Sequence, residues 1–145
     1  MTTVKNCLDQ KSNRIISVHP DDKVVIALAL MRDNRVRAML VLDEGRLVGI
    51  VTQGDCAIKV LLPGLDAKAT FIKDVMTVNP TTVKLTEPLE ACMSLMVERT
   101  FRHLPVVEAG KVVGVVSIGD LVKDHIRHMS QQIGFLETYI KGHGA

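Results

Sequence analysis

The chain has 145 residues, is 47% hydrophobic and carries a net charge of +2. That length gives one ordinary domain with ample apolar material for a core, while a near-balanced charge, one Tyr, three Phe and no Trp leave few platforms for stacking bases, so nucleic acid is not an expected partner. The opening Met-Thr-Thr-Val-Lys has no apolar signal region, and the longest uninterrupted apolar run, Val24 to Met31, is far short of the roughly 20 residues a bilayer needs, which predicts a cytoplasmic protein with no membrane partner.

Along the chain, Ile16 to Val18 is predicted as a short strand. Asp21 is a candidate N-cap for the helix that follows, whose Val24, Ala27, Leu28 and Met31 recur at i, i+3, i+4 and i+7 and so share one buried face. Two strands, Ala38 to Leu42 and Arg46 to Thr52, form a hairpin over Asp43-Glu44-Gly45, where the glycine supplies the positive φ of the turn. A second helix starts near Gly54 and is broken by Pro63-Gly64, and a linker carrying Asp66 and Lys68 leads into Ile72-Lys-Asp-Val-Met-Thr77.

Everything then happens again. Residues 16–60 laid on 81–125 at a constant offset, without a gap, give eleven identities in 45 pairs, against roughly one in fifteen by chance. The phrase GIVTQGD at Gly49 to Asp55 returns as GVVSIGD at Gly114 to Asp120. The second copy has a strand at Thr81 to Val83 and a candidate cap at Thr86. Its helix stripe is Leu89, Cys92, Met93 and Met96, and its hairpin joins His103–Val107 to Lys111–Ser117 over Glu108-Ala109-Gly110, with a last helix starting near Gly119. A methionine stripe at helical spacing is read as core and not as a binding groove. Two copies make a tandem duplication and not a solenoid. Each unit of about 60 residues is marginal alone, so the copies are expected to share one core.

The predicted organisation is a first repeat with its N-terminal segment at 1–62, a linker at 63–71, a second repeat at 72–128 and a helical tail at 129–145. The tail continues a stripe of Leu121, Val122, His125, Ile126 and Met129 past Gly134 to Leu136 and Ile140, as a helix packing on the domain or on a second subunit. Cys7, Cys56 and Cys92 are widely spaced with no C-x-x-C, so they are read as small core residues, with no metal site and no disulfide framework.

Thr52-Gln53-Gly54-Asp55 and Ser117-Ile118-Gly119-Asp120 leave a strand and enter a helix, and two readings stand side by side. In one, hydroxyl and carboxylate form a capping box that satisfies the first backbone donors of the helix. In the other, the hydroxyl faces a phosphate while the carboxylate accepts hydrogen bonds from a ribose diol. The second needs positive charge, which Arg102 and His103 offer at the start of a strand, with Arg37 at the matching place in the first copy; a solvated edge is the plainer account of the same residues.

The doubled G-[IV]-V-[ST]-x-x-D, the V-M-T-x-N-P between the copies and the R-H-L-P-V-V of the second resemble the cystathionine-β-synthase (CBS) domain pair, or Bateman module, over about residues 1 to 130. The resemblance implies an α/β (α+β) fold of two tandem β-α-β-β-α repeats about a pseudo-twofold axis, sheets packed together and helices outside, with clefts for an adenosine-containing ligand such as AMP, ATP, NAD or S-adenosylmethionine. It also implies flat homodimers. By position, Asp55 and Asp120 would hold ribose, and Thr52 and Ser117 ribose or phosphate. Arg102 and His103 would meet phosphate, in the cleft whose ribose is held by Asp55. Ile16, Ile50, Val115, Met76 and Thr77 would wall the adenine.

The chain departs from the family pattern where Gln53-Gly54 replaces Glu-Arg, and where Arg37 replaces a small residue ahead of Ala38-Met39, so the two clefts are not expected to be equivalent and one of them is expected to be weak or empty. The leading expectation is a stand-alone, non-catalytic adenine-nucleotide sensor acting on an unknown effector protein. A purely structural dimerisation module is the alternative. An enzyme using Ser117, His103 or Asp120 fares worst, because no G-x-S-x-G, G-x-x-x-x-G-K-[ST] or H-E-x-x-H occurs.

Overall fold

The structure, a computed structural model, describes residues 2–10 and 14–143. Its elements are α1 (Val4–Asp9), β1 (Ser17–Val18), α2 (Val24–Asn34), β2 (Ala38–Asp43), β3 (Arg46–Thr52), α3 (Gln53–Cys56), β4 (Thr77–Val78), α4 (Leu89–Arg99), β5 (His103–Glu108), β6 (Lys111–Ser117) and α5 (Ile118–His143). α3 runs on as a π-helical stretch, Ala57–Leu61, and a 3-10 turn, Ile72–Asp74, precedes β4. The doubled β-α-β-β-α plan is present. β1 to β4 form one sheet in chain order, with β1 parallel to β2 and the other pairs antiparallel, while β5 and β6 form an antiparallel pair. The strand expected at Thr81 to Val83 is reduced to one parallel bridge, Val83 with Val106, in the register at which Val18 meets Val41 in the first copy.

Both hairpins are tighter than the sequence reading, because Asp43 pairs with Arg46 and Glu108 with Lys111, leaving two-residue loops. Glu44 and Gly45 have φ of 49 and 80, and Ala109 and Gly110 have φ of 50 and 78. Two consecutive residues in the left-handed region make the turn whose twist matches that of the flanking strands.

The caps expected at Asp21 and Thr86 are not formed. α2 starts after Lys23 and α4 after Pro88, and neither boundary has a side-chain cap. Asp21 instead accepts from Lys73 Nζ at 3.0 Å, which holds its carboxyl below the ordinary value, and Thr86 lies in the turn ahead of α4. Remote backbone takes over the capping. Val24 N–H donates to the Thr70 carbonyl at 2.9 Å and Val25 N–H to that of Ala67 at 3.1 Å, while Leu89 N–H donates to the carbonyl of Thr2 at 3.0 Å. These bonds satisfy helix-end donors that would otherwise need a side chain or water.

The same segments overturn the expectation of one shared core, since the buried residues fall into two groups. One unites α2, β2 and β3 with Ile72 and Val75; the other unites α4, β5, β6 and Leu121 with Val4, Cys7 and Leu8 of α1. Each half is thus completed by the segment that precedes the other half. Where these segments cross a strand, the chain keeps glycine: a Cβ on Gly49 would stand 2.6 Å from Met76 Sδ and 2.9 Å from the Thr77 carbonyl, and one on Gly114 would stand 2.9 Å from Leu8 Cδ1. The cysteines are buried in these cores. Burial, with Glu87 and Cys7 adding to it, pushes the Cys92 thiol up to about 11, and burial beside Asp55 raises that of Cys56, so neither is poised as a nucleophile.

Gly49→Ala is expected to destabilise the fold by about 1–3 kcal/mol, the range for overpacking, because a backbone carbonyl cannot give way. Gly114→Ala is expected to be milder, since the methyl groups of Leu8 can turn aside. Urea midpoints of the two variants check the order.

Candidate functional site

β3 and β6 each end in a hydroxyl residue that starts the next helix. Thr52, extended at φ −117 and ψ 165, accepts at Oγ1 from Asp55 N–H at 3.1 Å, and its own N–H donates to Asp55 Oδ2 at 3.0 Å. Ser117 and Asp120 exchange the same two bonds at 3.2 and 2.8 Å. The capping box is therefore real in both copies, and it uses one oxygen of each carboxylate. Asp55 Oδ1 is turned toward Lys59 Nζ at 3.4 Å, on a side chain that is 16% exposed. Since a carboxylate can accept about four hydrogen bonds through its two oxygens, capping leaves capacity for a ligand.

Gly54 and Gly119 follow the capping residues at the same place in each repeat. A Cβ on either would meet nothing closer than the cap hydroxyl at 3.6 Å, an ordinary contact, so packing within the protein does not demand glycine at either place. Both face open space. Gly54 borders a cavity of about 440 Å³ and Gly119 one of about 610 Å³, each within the size range of small-molecule sites.

The first cavity brings together Ile50, Thr52, Asp55 and Thr77 with Arg37, Arg102 and His103, so residues of both halves line it. The second gathers Ile16, Val115, Ser117 and Asp120, and it shares Arg37, Ile50, Arg102 and His103 with the first. Arg102 and His103 thus line the same cavity as Asp55, and equally the wall of the Asp120 cavity. Met76 lines neither. β4 pairs Thr77 with Ile50, so Thr77 faces the cavity while the preceding side chain turns to the core and covers Gly49.

Several lining residues escaped the sequence reading. Arg14, Arg35 and Lys123 add cations to the second cavity, and Asn79, Thr100 and Phe101 line the first. One signal was available: Arg35 and Thr100 occupy equivalent places in the alignment of the two halves, each two residues before an arginine. Both end their helix in the left-handed region, at φ 55 and 56, a place that usually takes glycine. Arg14 reaches its cavity from the N-terminal segment and donates to Asn34, which local sequence cannot show. Among the described residues no cluster of His, Cys, Asp and Glu could hold a metal ion, and no helix is long and apolar enough to cross a membrane.

Comparison with known proteins gives the same picture. A family model, the CBS domain, matches residues 11–61 and 72–125. The mitochondrial CBS domain-containing protein CBSX3 of Arabidopsis thaliana is 32% identical over 127 residues, which are 84% of this chain and 62% of that protein. The chain thus spans less than two thirds of that relative, and it spans 18% of the meiotically up-regulated gene 70 protein of Schizosaccharomyces pombe. Among solved structures, a protein with CBS domains from Burkholderia ambifaria MC40-6 superposes with a TM-score of 0.85 at 40% identity, covering 87% of this chain and 95% of that one. CBSX2 in complex with AMP gives a TM-score of 0.73 at 27% identity, with coverages of 88% and 98%. The CBS domain pair of protein MJ0100, in complex with 5′-methylthioadenosine and S-adenosyl-L-methionine, gives 0.76 at 29%, with coverages of 85% and 94%. With each half matched by the same family model, and the fold superposing on paired examples, the chain belongs to the CBS domain family and carries two copies of the domain.

Proposed function

We propose that the chain is a non-catalytic regulatory module that binds adenosine-containing nucleotides between its two halves and signals by a ligand-dependent change of shape. The observation that carries this reading is the first cavity, where the Thr52–Asp55 cap of one half faces Arg102 and His103 of the other. In this reading Asp55 accepts from a ribose hydroxyl while its second oxygen keeps the cap. Thr52 Oγ1 binds ribose or phosphate, Arg102 and His103 neutralise phosphate, and Ile50 and Thr77 flank the base. AMP, 5′-methylthioadenosine and S-adenosyl-L-methionine in the neighbouring structures support the adenosine part.

The cavities differ in charge. Arg14, Arg35 and Lys123 join the shared Arg37 and Arg102 only in the second, which suits it to a polyphosphate or dinucleotide such as ATP or NAD, while the first suits a monophosphate or S-adenosylmethionine. The module works as a cytoplasmic homodimer that passes its state to an effector protein. A second reading, a structural pairing module without a nucleotide, is favoured by one observation: both caps are complete with no ligand needed.

Three measurements decide between the readings. In protein first stripped of ligand, adenine nucleotides are expected to raise Tm more than guanine or pyrimidine nucleotides, by the equivalent of about 2.7 kcal/mol at a hundredfold excess over Kd; no selective shift would leave the structural reading. Asp55→Asn and Asp120→Asn keep an oxygen able to cap but lose the charge-assisted acceptor. Each is expected to cost about 1.5–3 kcal/mol of nucleotide affinity by calorimetry with little change in stability, whereas a pure cap would leave affinity untouched. Arg35→Ala is expected to weaken ATP about tenfold and AMP much less, as suits loss of one charge-assisted phosphate contact in the second cavity; equal losses would contradict the assigned difference between the clefts.

A further inference from the structure

α5 continues well past residue 125, where the match to the family model ends. Its first turns are held by the body: Leu121 is 2% exposed, the Asp124 side chain is 14% exposed, and His128 bonds Thr2. From residue 129 to residue 141 every residue is exposed. At 1.5 Å per residue the last fifteen residues of the helix, 129–143, project about 22 Å, and so short a helix is marginal in water without a partner.

The projecting face has a strict pattern. Val122, Ile126, Met129, Ile133, Leu136 and Ile140 are all exposed and alternate in steps of four and three, a heptad seam with isoleucine at each a position and Val, Met or Leu at each d. An apolar residue at every a and d position is the pattern of a coiled-coil seam. We propose that this seam is covered by the same seam of a second copy, the two α5 helices lying antiparallel.

The direction follows from charge. In the antiparallel alignment each a residue meets a d residue, with Val122 facing Ile140, Ile126 facing Leu136 and Met129 facing Ile133 of the second copy. The flanking e positions then bring Lys123 against Glu137 of the second copy, twice by symmetry. In a parallel alignment Lys123 would face Ile118 and Glu137 would face Gln132, and neither charge would find its opposite. The antiparallel pair also puts the two bodies at opposite ends of the paired helices. Phe135 and Tyr139 on the same stretch of helix are 74% and 59% exposed. Lys123 also lines the second cavity, so association is tested in protein stripped of nucleotide.

Sedimentation of the full chain at tens of micromolar, in low salt, is expected to show a dimer. Ile133→Glu, which places a charge in the seam, is expected to weaken association about a hundredfold or more while the circular dichroism of the body is kept. Lys123→Glu and Glu137→Lys are each expected to weaken it about tenfold, and the double reversal to restore it to within about threefold. For direction, Met129→Cys chains and Ile133→Cys chains are oxidised separately and as a mixture. The antiparallel pair links only in the mixture, whereas a parallel pair links each alone. A wild-type monomer, a dimer indifferent to Ile133→Glu, failure of the double reversal to rescue, or links formed by either variant alone would each overturn the proposal.

Discussion

The exchange of segments between the halves is the constraint on which the rest of this molecule rests. A half of about 60 residues is marginal alone, and it is completed here by a short stretch borrowed from across the chain: Ile72 and Val75 for the first half, Val4, Cys7 and Leu8 for the second. The same stretches supply the carbonyls that cap α2 and α4 and press on Gly49 and Gly114. They also run on toward the cavities. Thr77 follows the first into one of them, and Arg14 and Ile16, downstream of α1, line the other. Stability and site are therefore built by the same stretches of chain.

The Thr52–Asp55 and Ser117–Asp120 pairs show why a folding role and a binding role need not compete. A carboxylate has two oxygens, and a cap engages one. The cap also fixes the other oxygen in space, which is what a site needs, because a preorganised acceptor loses little freedom when a ligand arrives. The glycine beside each cap, with no protein atom pressing on it, is the residue that folding alone leaves unexplained.

The two cavities are neighbours with a common wall of Arg37, Ile50, Arg102 and His103. The cations of that wall line both cavities. Lys123 lines the second cavity and sits on the first turns of α5. A charge at that place links the cavity to the helix that leaves the body.

The repeat itself was legible in the sequence, because eleven identities in register carry it. So were the hairpins, whose signals are local: alternation, and a glycine that can take positive φ. The T-x-x-D cap and the apolar stripe of the last helix are local too, since both rest on residues within a few turns of one another. Capping of α2 and α4 was not legible, because the acceptors are carbonyls of Thr70, Ala67 and Thr2, and a backbone carbonyl has no side-chain signature. Nor was the division into two cores, which depends on which half a short apolar segment joins; Val4 and Leu8 would look the same in either. The place of Met76 turned on one step of strand alternation, which sends Thr77 to the cavity and the methionine to Gly49. Sequence determined what each segment can form, since propensity and spacing act over a few residues. Only the tertiary structure decided which segments meet, because burial and backbone hydrogen bonding are satisfied by any partner of the right shape, and the choice among partners is made by the whole chain.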